Sequence, residues 1–339
     1  MVAEPRILVA RIARASLLVP EWDALCTSPF QRRDFLTHLE DTNACRQRYY
    51  ELRDDSGALR AGAIVYTLPL DLLTYSHMPS RMTLNFLGVP CSQSAPGVVG
   101  APESTRRLIE RLPLEEPRFV VGLNLDHRLG LKGFVEGRNL PTVIIDRGFD
   151  SFDDYLGALR SDYRRRLSKI VKAFADVEVQ RSSCSDFDDT MYTQYLDVYG
   201  RSDAKLEKLD KIFFDRLDAR FVLTAYRRAG ALLGWHITLV DGETCYFLLE
   251  GHDPEVEHGY FNLLVGVLRE AIARGARRID LGQTAEIPKM RLGGTLVEKH
   301  MFATHPSRVV QMMIARGSRF LEYRRQVPAV HVFKADPVR

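Results

Sequence analysis

The stretch Gly259-Tyr-Phe-Asn-Leu-Leu-Val-Gly-Val-Leu-Arg-Glu-Ala-Ile-Ala-Arg-Gly275-Ala-Arg-Arg-Ile-Asp-Leu-Gly282 decides the fold. Apolar residues recur in its first part at spacings of three and four, which predicts a helix with one buried face. These residues are Leu264, Val267, Leu268, Ala271 and Ile272. Gly275 suits the left-handed residue that ends a helix, and the alternation that follows, from Arg278 to Leu281, predicts a strand.

A second strand is predicted upstream of this helix, over Thr244-Cys-Tyr-Phe-Leu-Leu-Glu250. Strand, turn, helix and strand in this order place the first turn of the helix at the edge of a sheet. The free backbone N–H groups of a first turn favour a phosphate or a carbonyl oxygen as ligand. The stretch therefore predicts a ligand site beside Glu250 and Gly259.

The bulk composition limits the classes of protein to which the chain can belong. Its 339 residues are enough for two ordinary domains, and 45% of them are apolar. A formal net charge of +3 argues against a dedicated nucleic-acid binder, and so against DNA as a partner, but leaves room for a local basic patch. No apolar run approaches the roughly 18 residues that a membrane helix needs. The five cysteines are scattered without metal-ligand spacing, which predicts no metal site and a cytoplasmic location.

The order of elements predicts an α+β fold with two domains. Ser151 is a favourable N-cap for a long helix, and it is followed by a strand, helices, a three-stranded meander, a helix and a strand. The first half repeats this order of elements without repeating the sequence. We therefore expect tandem domains over residues 1–147 and 148–339, each with a mixed, mostly antiparallel sheet flanked by helices.

Three groups of residues in the second half match a known pattern. They are the helix from Ser151 with its Arg164-Arg-Arg-Leu167, the strands Gly234-Trp-His-Ile237 and Tyr246–Asp253, and Asn262-Leu-Leu followed by Asp280-Leu-Gly and Lys289-Met-Arg-Leu-Gly-Gly294. In these features the chain resembles the GNAT acyltransferases, and most closely their Fem-like branch. The resemblance covers residues 148–310, whereas residues 1–147 match in element order alone.

The resemblance implies a biosynthetic acyltransferase that forms an amide bond. Its N-terminal domain would be a degenerate GNAT-like domain on the acceptor side, and its C-terminal GNAT domain would bind the donor. The implied donor is aminoacyl-tRNA, and the implied acceptor is an amine of a small molecule, a peptide or a cell-envelope precursor. An acyl-CoA or a carrier-protein thioester is the alternative donor, and no tightly bound cofactor is implied. A non-catalytic binding module with a GNAT fold is the second alternative.

The loop before the decisive helix departs from the GNAT pattern. Ordinary GNAT enzymes hold the pyrophosphate of coenzyme A with a Q/R-x-x-G-x-G/A loop. Here the loop reads Pro254-Glu-Val-Glu-His-Gly-Tyr-Phe261 and keeps Gly259 alone. Because Glu255 and Glu257 would repel a pyrophosphate, the loop favours aminoacyl-tRNA over coenzyme A.

Acyl transfer to an amine needs a base for the amine and a polarised donor carbonyl. In the GNAT fold a splayed pair of strands exposes backbone N–H groups to that carbonyl, which we expect here along Tyr246–Glu250. The candidate catalytic residues beside it are Glu250, His252 and Asp253. The alternative role for His252 and Asp253 is to shape the turn into the helix.

The remaining candidates bind substrate or donor. Residues on the matching motifs are the candidates for substrate binding: Trp235, His236, Tyr246, Asn262, Asp280, Gln283, Lys289 and Arg291. Lys289 and Arg291 are expected to clamp a phosphate or a carboxylate, whereas Trp235 and His236 have core filling as their alternative. The candidates for donor or tRNA binding lie on the basic face of the helix after Ser151 and at the start of the helix that begins at Gly259. They are Arg160, Arg164, Arg165, Lys169 and Gly259. The alternative for the basic face is a solvated surface.

Overall fold

The computed structural model describes residues 8–71, 81–91, 94–116, 118–202, 205, 207–325, 327–328 and 330–334. The chain divides into two compact units. The first unit contains Met1–Leu140 and Glu298–Arg324, and the second contains Pro141–Val297 and Arg325–Arg339. Each unit is therefore described by itself.

Strands and helices are distributed over the whole of the described chain. The strands are β1 (Leu8–Ile12), β2 (Arg48–Arg53), β3 (Leu59–Asp71), β4 (Arg81–Leu87), β5 (Val98–Gly100), β6 (Val120–Leu125), β7 (Val135–Asp146), β8 (Glu178–Ser182), β9 (Phe221–Arg228), β10 (Ala231–Asp241), β11 (Thr244–His252), β12 (Arg278–Gln283) and β13 (Thr295–Thr304). The helices are α1 (Glu21–Leu25), α2 (Arg33–Thr42), α3 (Pro102–Glu115), α4 (Phe152–Ala158), α5 (Ser161–Lys172), α6 (Asp189–Arg201), α7 (Lys211–Asp215), α8 (Gly259–Ala273), α9 (Glu286–Met290) and α10 (Arg308–Leu321). Short 3-10 helices span Ala15–Leu17, Pro29–Gln31 and Cys184–Asp186.

The first unit is built on a mixed sheet with the strand order β1-β2-β3-β4-β6-β13, and β5 pairs with β3. β4 and β6 run parallel, and the other described pairs of this unit are antiparallel. Helix α3 buries Leu108, Ile109 and Leu112 against residues of the sheet such as Tyr50 and Val65.

The second unit has the strand order β7-β12-β11-β10-β9-β8. β11 and β12 run parallel, whereas the other described pairs of this unit are antiparallel. Helix α8 lies on one face, where its apolar stripe meets Cys245, Phe247 and Ile279. α6 and α7 pack on the opposite face, where Trp235 contacts the ring of Phe214. The predicted α+β fold is confirmed.

The parallel strands β11 and β12 separate part-way along their length. Their residue pairs run from Thr244 with Arg278 to Tyr246 with Asp280, where the pairing ends. β11 nevertheless continues to His252 and β12 to Gln283. At the same level β11 is bulged, because Leu248 has no residue opposite it on β10. Since a bulge bends its strand and increases its twist, it accounts for the separation. The splayed strands that the GNAT resemblance implies are thus present.

Two features differ from the sequence-based expectation. The helix predicted to run on from Ser151 is broken into α4 and α5, because Leu159 adopts an extended conformation and forms a β-bridge with Phe333. Ser151 does cap α4, since its hydroxyl accepts a hydrogen bond from the Asp154 N–H at 3.0 Å. Glu298–Arg324, predicted to belong to the C-terminal domain, clusters with the first unit because β13 pairs with β6.

Candidate active site

Glu250 and His252 form a hydrogen-bonded pair at the free end of β11. Alternate residues of a strand share a face, so both side chains lie on the α8 side of the sheet. His252 Nδ1 is 2.8 Å from Glu250 Oε2, and the two side chains are 17% and 11% exposed. The carboxylate therefore fixes the imidazole through Nδ1 and leaves Nε2 for the cavity that His252 lines. A histidine held in this way is suited to accept a proton from a substrate.

Gly251, between these two residues, faces the opposite side of the sheet. A Cβ atom there would lie 2.5 Å from Trp235 Nε1, so the close approach of Trp235 requires glycine. Trp235 is completely buried, and its Nε1 donates a hydrogen bond to the Met191 carbonyl at 3.0 Å. Trp235 therefore fills the core, which is the second of the two roles considered for it, and does not face the Glu250–His252 pair.

A cavity of about 520 Å³ opens beside the Glu250–His252 pair. Three arginines from different elements line it: Arg166 on α5, Arg201 at the end of α6 and Arg291 directly after α9. Among the described residues that line it there is no aspartate or glutamate. The positive charge of its wall favours an anionic ligand, and its size lies within the range of small-molecule sites.

The first turn of α8 forms another wall of this cavity. Gly259, Tyr260 and Phe261 line it, together with His258. His258 is the N-cap residue and has a left-handed backbone with φ of 62°. Asn262 stabilises this start, because its side-chain amide donates a hydrogen bond to the His258 carbonyl at 3.1 Å. The first N–H groups of a helix have no intrahelical acceptor, so this turn adds donors and positive potential to the arginines.

The two acidic residues of the loop before α8 point away from the cavity. The Glu257 side chain is 89% exposed, and its Oε1 lies 3.4 Å from His258 Nε2. Glu255 is exposed as well, and neither residue lines the cavity. The sequence-based argument that these carboxylates repel a pyrophosphate therefore loses its basis, because the loop turns them into solvent.

Lys289 is buried next to the point where β11 and β12 separate. It is 2% exposed, and its Nζ donates a hydrogen bond to the Gln283 carbonyl at 2.6 Å. Nζ also lies 5.9 Å from the centre of the Phe247 ring. The predicted surface clamp of Lys289 and Arg291 is therefore not formed, since the lysine points inward. Arg291 alone of the two lines the cavity.

Burial and nearby carboxylates shift the pKa values of Lys289 and Tyr260. Burial lowers the pKa of Lys289 to about 8, against the opposing effect of Asp280, Glu286 and Glu250. Burial, and then the charges of Glu250 and Glu286, raise the pKa of Tyr260 well above its ordinary value. The Tyr260 hydroxyl therefore stays protonated and is available as a hydrogen-bond donor.

Of three other candidates, Asp253 and Asp280 accept hydrogen bonds within the chain, and Tyr246 faces away from the Glu250–His252 pair. Asp253 Oδ1 accepts a hydrogen bond from the Glu255 N–H at 2.9 Å, which is the turn-shaping role considered for it. Asp280 Oδ1 accepts from the Thr142 hydroxyl at 2.9 Å. Tyr246 lies on the opposite face from the Glu250–His252 pair, because the bulge at Leu248 reverses the alternation of β11.

The basic candidates for donor binding lie on or beside α5. Arg160, Arg164, Arg165 and Lys169 are exposed and do not line the cavity. Arg166, in the middle of this group, does line it. The exposed basic face thus continues outward from the cavity. The other two candidates lie deeper, since His236 belongs to a buried cluster with Tyr226 and Glu270, and Asn262 lines a second cavity next to that cluster.

In the described part of the chain, no group of three or more histidine, cysteine or acidic side chains is arranged to hold a metal ion. Among the helices of the same residues, none has both the length and the apolar character needed to cross a membrane.

Residues 157–289 match a family model described as an acetyltransferase (GNAT) domain. This part of the chain is a GNAT acyltransferase domain. The match includes the Glu250–His252 pair, the start of α8 and Lys289, so the GNAT domain supplies all these residues. A comparison with curated proteins finds no match to the chain.

Solved structures share the fold across most of the chain. FemX superposes with a TM-score of 0.55 at 13% identity, over 87% of this chain and 98% of FemX. A tandem GNAT protein from the clavulanic acid biosynthesis pathway gives 0.52 at 10% identity, over 89% of this chain and all of the other. L-PGS from Bacillus licheniformis gives 0.50 at 12% identity, covering 82% and 94% of the two chains. At these low identities the superpositions show a shared fold and no more.

Sequence reasoning missed several residues of this cavity. Arg201 lies about fifty residues before the Glu250–His252 pair in sequence, and no local motif marks it. Tyr260 occupies a position in the first turn of α8 that fits a structural role equally well. Arg166 was recognisable only as one of several basic residues on α5, because its helical phase relative to the cavity depends on the break at Leu159.

Proposed function

We propose that the GNAT domain transfers an aminoacyl group from aminoacyl-tRNA to an amine of a small molecule, a peptide or a cell-envelope precursor. The observation that carries this proposal is the Glu250–His252 pair, which faces a cavity lined by three arginines and the first turn of α8. Such a cavity combines a base with a binding site for a phosphate-bearing donor.

The donor's phosphates bind in the arginine-lined part of the cavity. Arg166, Arg201 and Arg291 supply positive charge. The first backbone N–H groups of α8 supply uncharged hydrogen-bond donors. The acyl carbonyl lies where β11 has separated from β12. Beyond Tyr246 the described β11 has no residue pairs with β12, and we place the carbonyl oxygen there, against backbone N–H groups of β11 that would polarise it.

The acceptor amine attacks the donor carbonyl beside His252. The amine nitrogen forms the new C–N bond and gives its proton to His252 Nε2. The bond between the carbonyl carbon and the ribose oxygen of the tRNA then breaks, and His252 returns the proton to that oxygen. Glu250 holds the imidazole in position throughout and stabilises its charged form.

The basic face of α5 favours tRNA over a smaller donor. Besides Arg166, this helix carries Arg164, Arg165, Lys169 and Lys172 against the single acid Asp162. A donor that ends inside the cavity would not use these exposed residues, whereas a long polyanion would extend across them. Binding of tRNA through this face also predicts a strong dependence on salt concentration.

The second candidate is transfer from an acyl-CoA or a carrier-protein thioester. One observation favours it: Glu255 and Glu257 point into solvent and leave the start of α8 open to a pyrophosphate. The chemistry at Glu250 and His252 would be the same, but the bond that breaks would be the C–S bond, and the proton would return to sulfur.

The donors are separated by one reaction series with the full chain. A pool of labelled aminoacyl-tRNA and a panel of acyl-CoA compounds are each incubated with the small-molecule fraction of a cell extract as the source of acceptors. Product that forms from aminoacyl-tRNA and is abolished by prior RNase treatment supports the proposal. Product that forms from acyl-CoA and is insensitive to RNase rejects tRNA as the donor. Stoichiometric binding without turnover for both donors would identify a binding module.

A matched pair of variants tests the role of α5. The variant Arg164→Gln with Arg165→Gln removes charge outside the cavity, and Arg277→Gln removes a similarly exposed charge that pairs with Glu243 elsewhere in the second unit. We expect the α5 variant to raise KM for aminoacyl-tRNA by about tenfold at low salt and to flatten the salt dependence. Arg277→Gln should change neither. Equal effects of both variants would exclude a specific tRNA contact on α5.

A further inference from the structure

A buried cluster connects Glu270 on α8 to Tyr226 on β9 through His236 on β10. Glu270 Oε1 accepts a hydrogen bond from the Thr238 hydroxyl at 2.8 Å, and its Oε2 lies 3.7 Å from His236 Nε2. His236 Nδ1 in turn lies 3.5 Å from the Tyr226 hydroxyl. His236 and Glu270 are 0% and 2% exposed. A buried charge is costly unless it is paired and hydrogen-bonded, and Glu270 also lies 3.5 Å from Arg274 and accepts a hydrogen bond from the Thr224 hydroxyl at 3.3 Å.

The negative charge of Glu270 determines which atoms of His236 and Tyr226 carry a proton. Burial raises the pKa of its carboxyl, but the neighbouring His236 imidazole and the hydrogen bond from Thr238 more than compensate and lower the pKa overall. The carboxylate lies nearest to His236 Nε2, so that nitrogen carries the ring proton and Nδ1 is left as an acceptor. The Tyr226 hydroxyl donates a hydrogen bond to His236 Nδ1, because burial raises the pKa of the phenol and keeps it protonated. The Tyr226 oxygen is then left to accept a hydrogen bond from another group.

Tyr226 lines a second cavity, with a volume of about 260 Å³. Its apolar wall is formed by Val171, Phe174, Val177, Val179 and Val265, and its polar wall includes Thr224 and Asn262. At Gly266 of α8 a Cβ atom would lie 1.7 Å from the Tyr226 hydroxyl oxygen. Glycine at this position therefore makes the room that the hydroxyl occupies.

Two arginines also line this second cavity, Arg181 on β8 and Arg269 on α8. The Arg269 guanidinium stacks over Phe152, 4.4 Å from the ring centre. Within the described residues, neither arginine forms an ion pair with a carboxylate of the chain. The two cations line the cavity directly, whereas the charge of Glu270, which lies 3.5 Å from Arg274, acts on it from behind Tyr226. A ligand with both charges fits that arrangement better than a ligand with one.

We propose that this cavity is a second ligand site, which takes a free amino acid with an apolar side chain. Its carboxylate binds Arg181 and Arg269, its ammonium donates to the Tyr226 oxygen on the side of Glu270, and its side chain lies against Phe174 and the valines. The site shares no lining residue with the cavity beside Glu250 and His252, so it does not depend on the transfer reaction.

The test measures binding of L-leucine to the full chain by calorimetry or equilibrium dialysis. Two analogues probe the two charges: 4-methylpentanoate lacks the amine, and 3-methylbutylamine lacks the carboxylate. We expect leucine to bind and each analogue to bind at least about tenfold more weakly, because each loses a charge-assisted hydrogen bond. If leucine, valine and phenylalanine all fail to bind at millimolar concentration, or if either analogue binds as well as leucine, the proposal is wrong.

Variants assign the two charges to their partners. Arg181→Gln with Arg269→Gln should weaken leucine about tenfold or more and leave 3-methylbutylamine unchanged. Tyr226→Phe should weaken leucine and leave 4-methylpentanoate unchanged. Arg291→Gln, in the other cavity, is the matched control and should leave leucine binding intact. Circular dichroism verifies that each variant is folded, and the arginine variants remain informative if Tyr226→Phe does not fold. Leucine binding that none of these folded variants weakens would overturn the assignment.

Discussion

Replacing Lys289 by methionine is expected to change how the stability of the second unit depends on pH. Lys289 is 2% exposed, and burial lowers its pKa from the ordinary value of 10.5 to about 8. The nearby carboxylates Glu250, Glu286 and Asp280 oppose this shift without cancelling it. The ammonium is therefore less favourable in the folded chain than in the unfolded chain.

The size and sign of the effect follow from the two pKa values. Their difference is about 2.5 units, from 10.5 to about 8, and at about 1.36 kcal/mol per unit it corresponds to about 3 kcal/mol. Below the folded pKa both states carry the proton, and the folded state bears the whole penalty. Between the folded and the unfolded pKa the folded chain releases its proton while the unfolded chain keeps it, so stability rises with pH. Relative to Lys289→Met, the unmodified chain should gain up to about 3 kcal/mol between about pH 7 and about pH 10.5.

The assay is guanidinium unfolding at several pH values, followed by tryptophan fluorescence. Trp235 reports on the second unit and Trp22 on the first, so the two transitions are fitted separately. Other groups titrate equally in both proteins, and the difference between them isolates Lys289. Lys289→Arg is the matched control, because arginine keeps its charge over this range and should give a flat difference from Lys289→Met. If the curves of the unmodified chain and of Lys289→Met run parallel over the whole range, the reasoning about the buried ammonium is refuted.

Two further predictions concern the strand that carries the Glu250–His252 pair. His252→Gln should lower kcat/KM for acyl transfer by about 10²- to 10⁴-fold with little change in KM for the donor, and an unchanged rate would remove His252 from the mechanism. Gly251→Ala should destabilise the second unit by about 1–3 kcal/mol, because the new methyl group meets Trp235 Nε1 at 2.5 Å. A denaturation midpoint equal to that of the unmodified chain would show that Trp235 moves aside without cost.

Much of the second unit was predictable because its elements follow simple periodicities. The buried stripe of α8 and the glycine after it are visible in the sequence, and α8 runs over Gly259–Ala273 as that pattern indicates. The same reasoning extended the helix from Ser151 too far. Leu159 has the spacing of a buried helical residue, but it pairs with Phe333, about 170 residues later in the chain. A contact between distant segments leaves no mark in a local window of sequence.

The candidate site was predictable where its residues are neighbours on one element. Glu250 and His252 stand two apart on a strand, and the structure joins them by a hydrogen bond. Lys289 was recognised by its motif, but its direction was not, because a lysine after a strand is ordinarily solvated. Glu255 and Glu257 were assigned by position in the loop alone. Which way a loop side chain points depends on left-handed residues such as His258, which a sequence pattern does not reveal.

One extra residue in β11 accounts for both the geometry of the candidate site and the position of Tyr246 on the opposite face of the strand. In an unbulged strand Phe247 and Glu250 would face opposite sides of the sheet. Phe247 could then not pack beneath α8 while Glu250 also pointed to the α8 side. With Leu248 as the extra residue of the bulge, Cys245 and Phe247 pack beneath α8, and Glu250 and His252 still turn toward its first turn. The added twist also carries β11 away from β12. The space opened there is the place where Lys289 reaches the Gln283 carbonyl, so the buried ammonium and the free strand edge have the same origin.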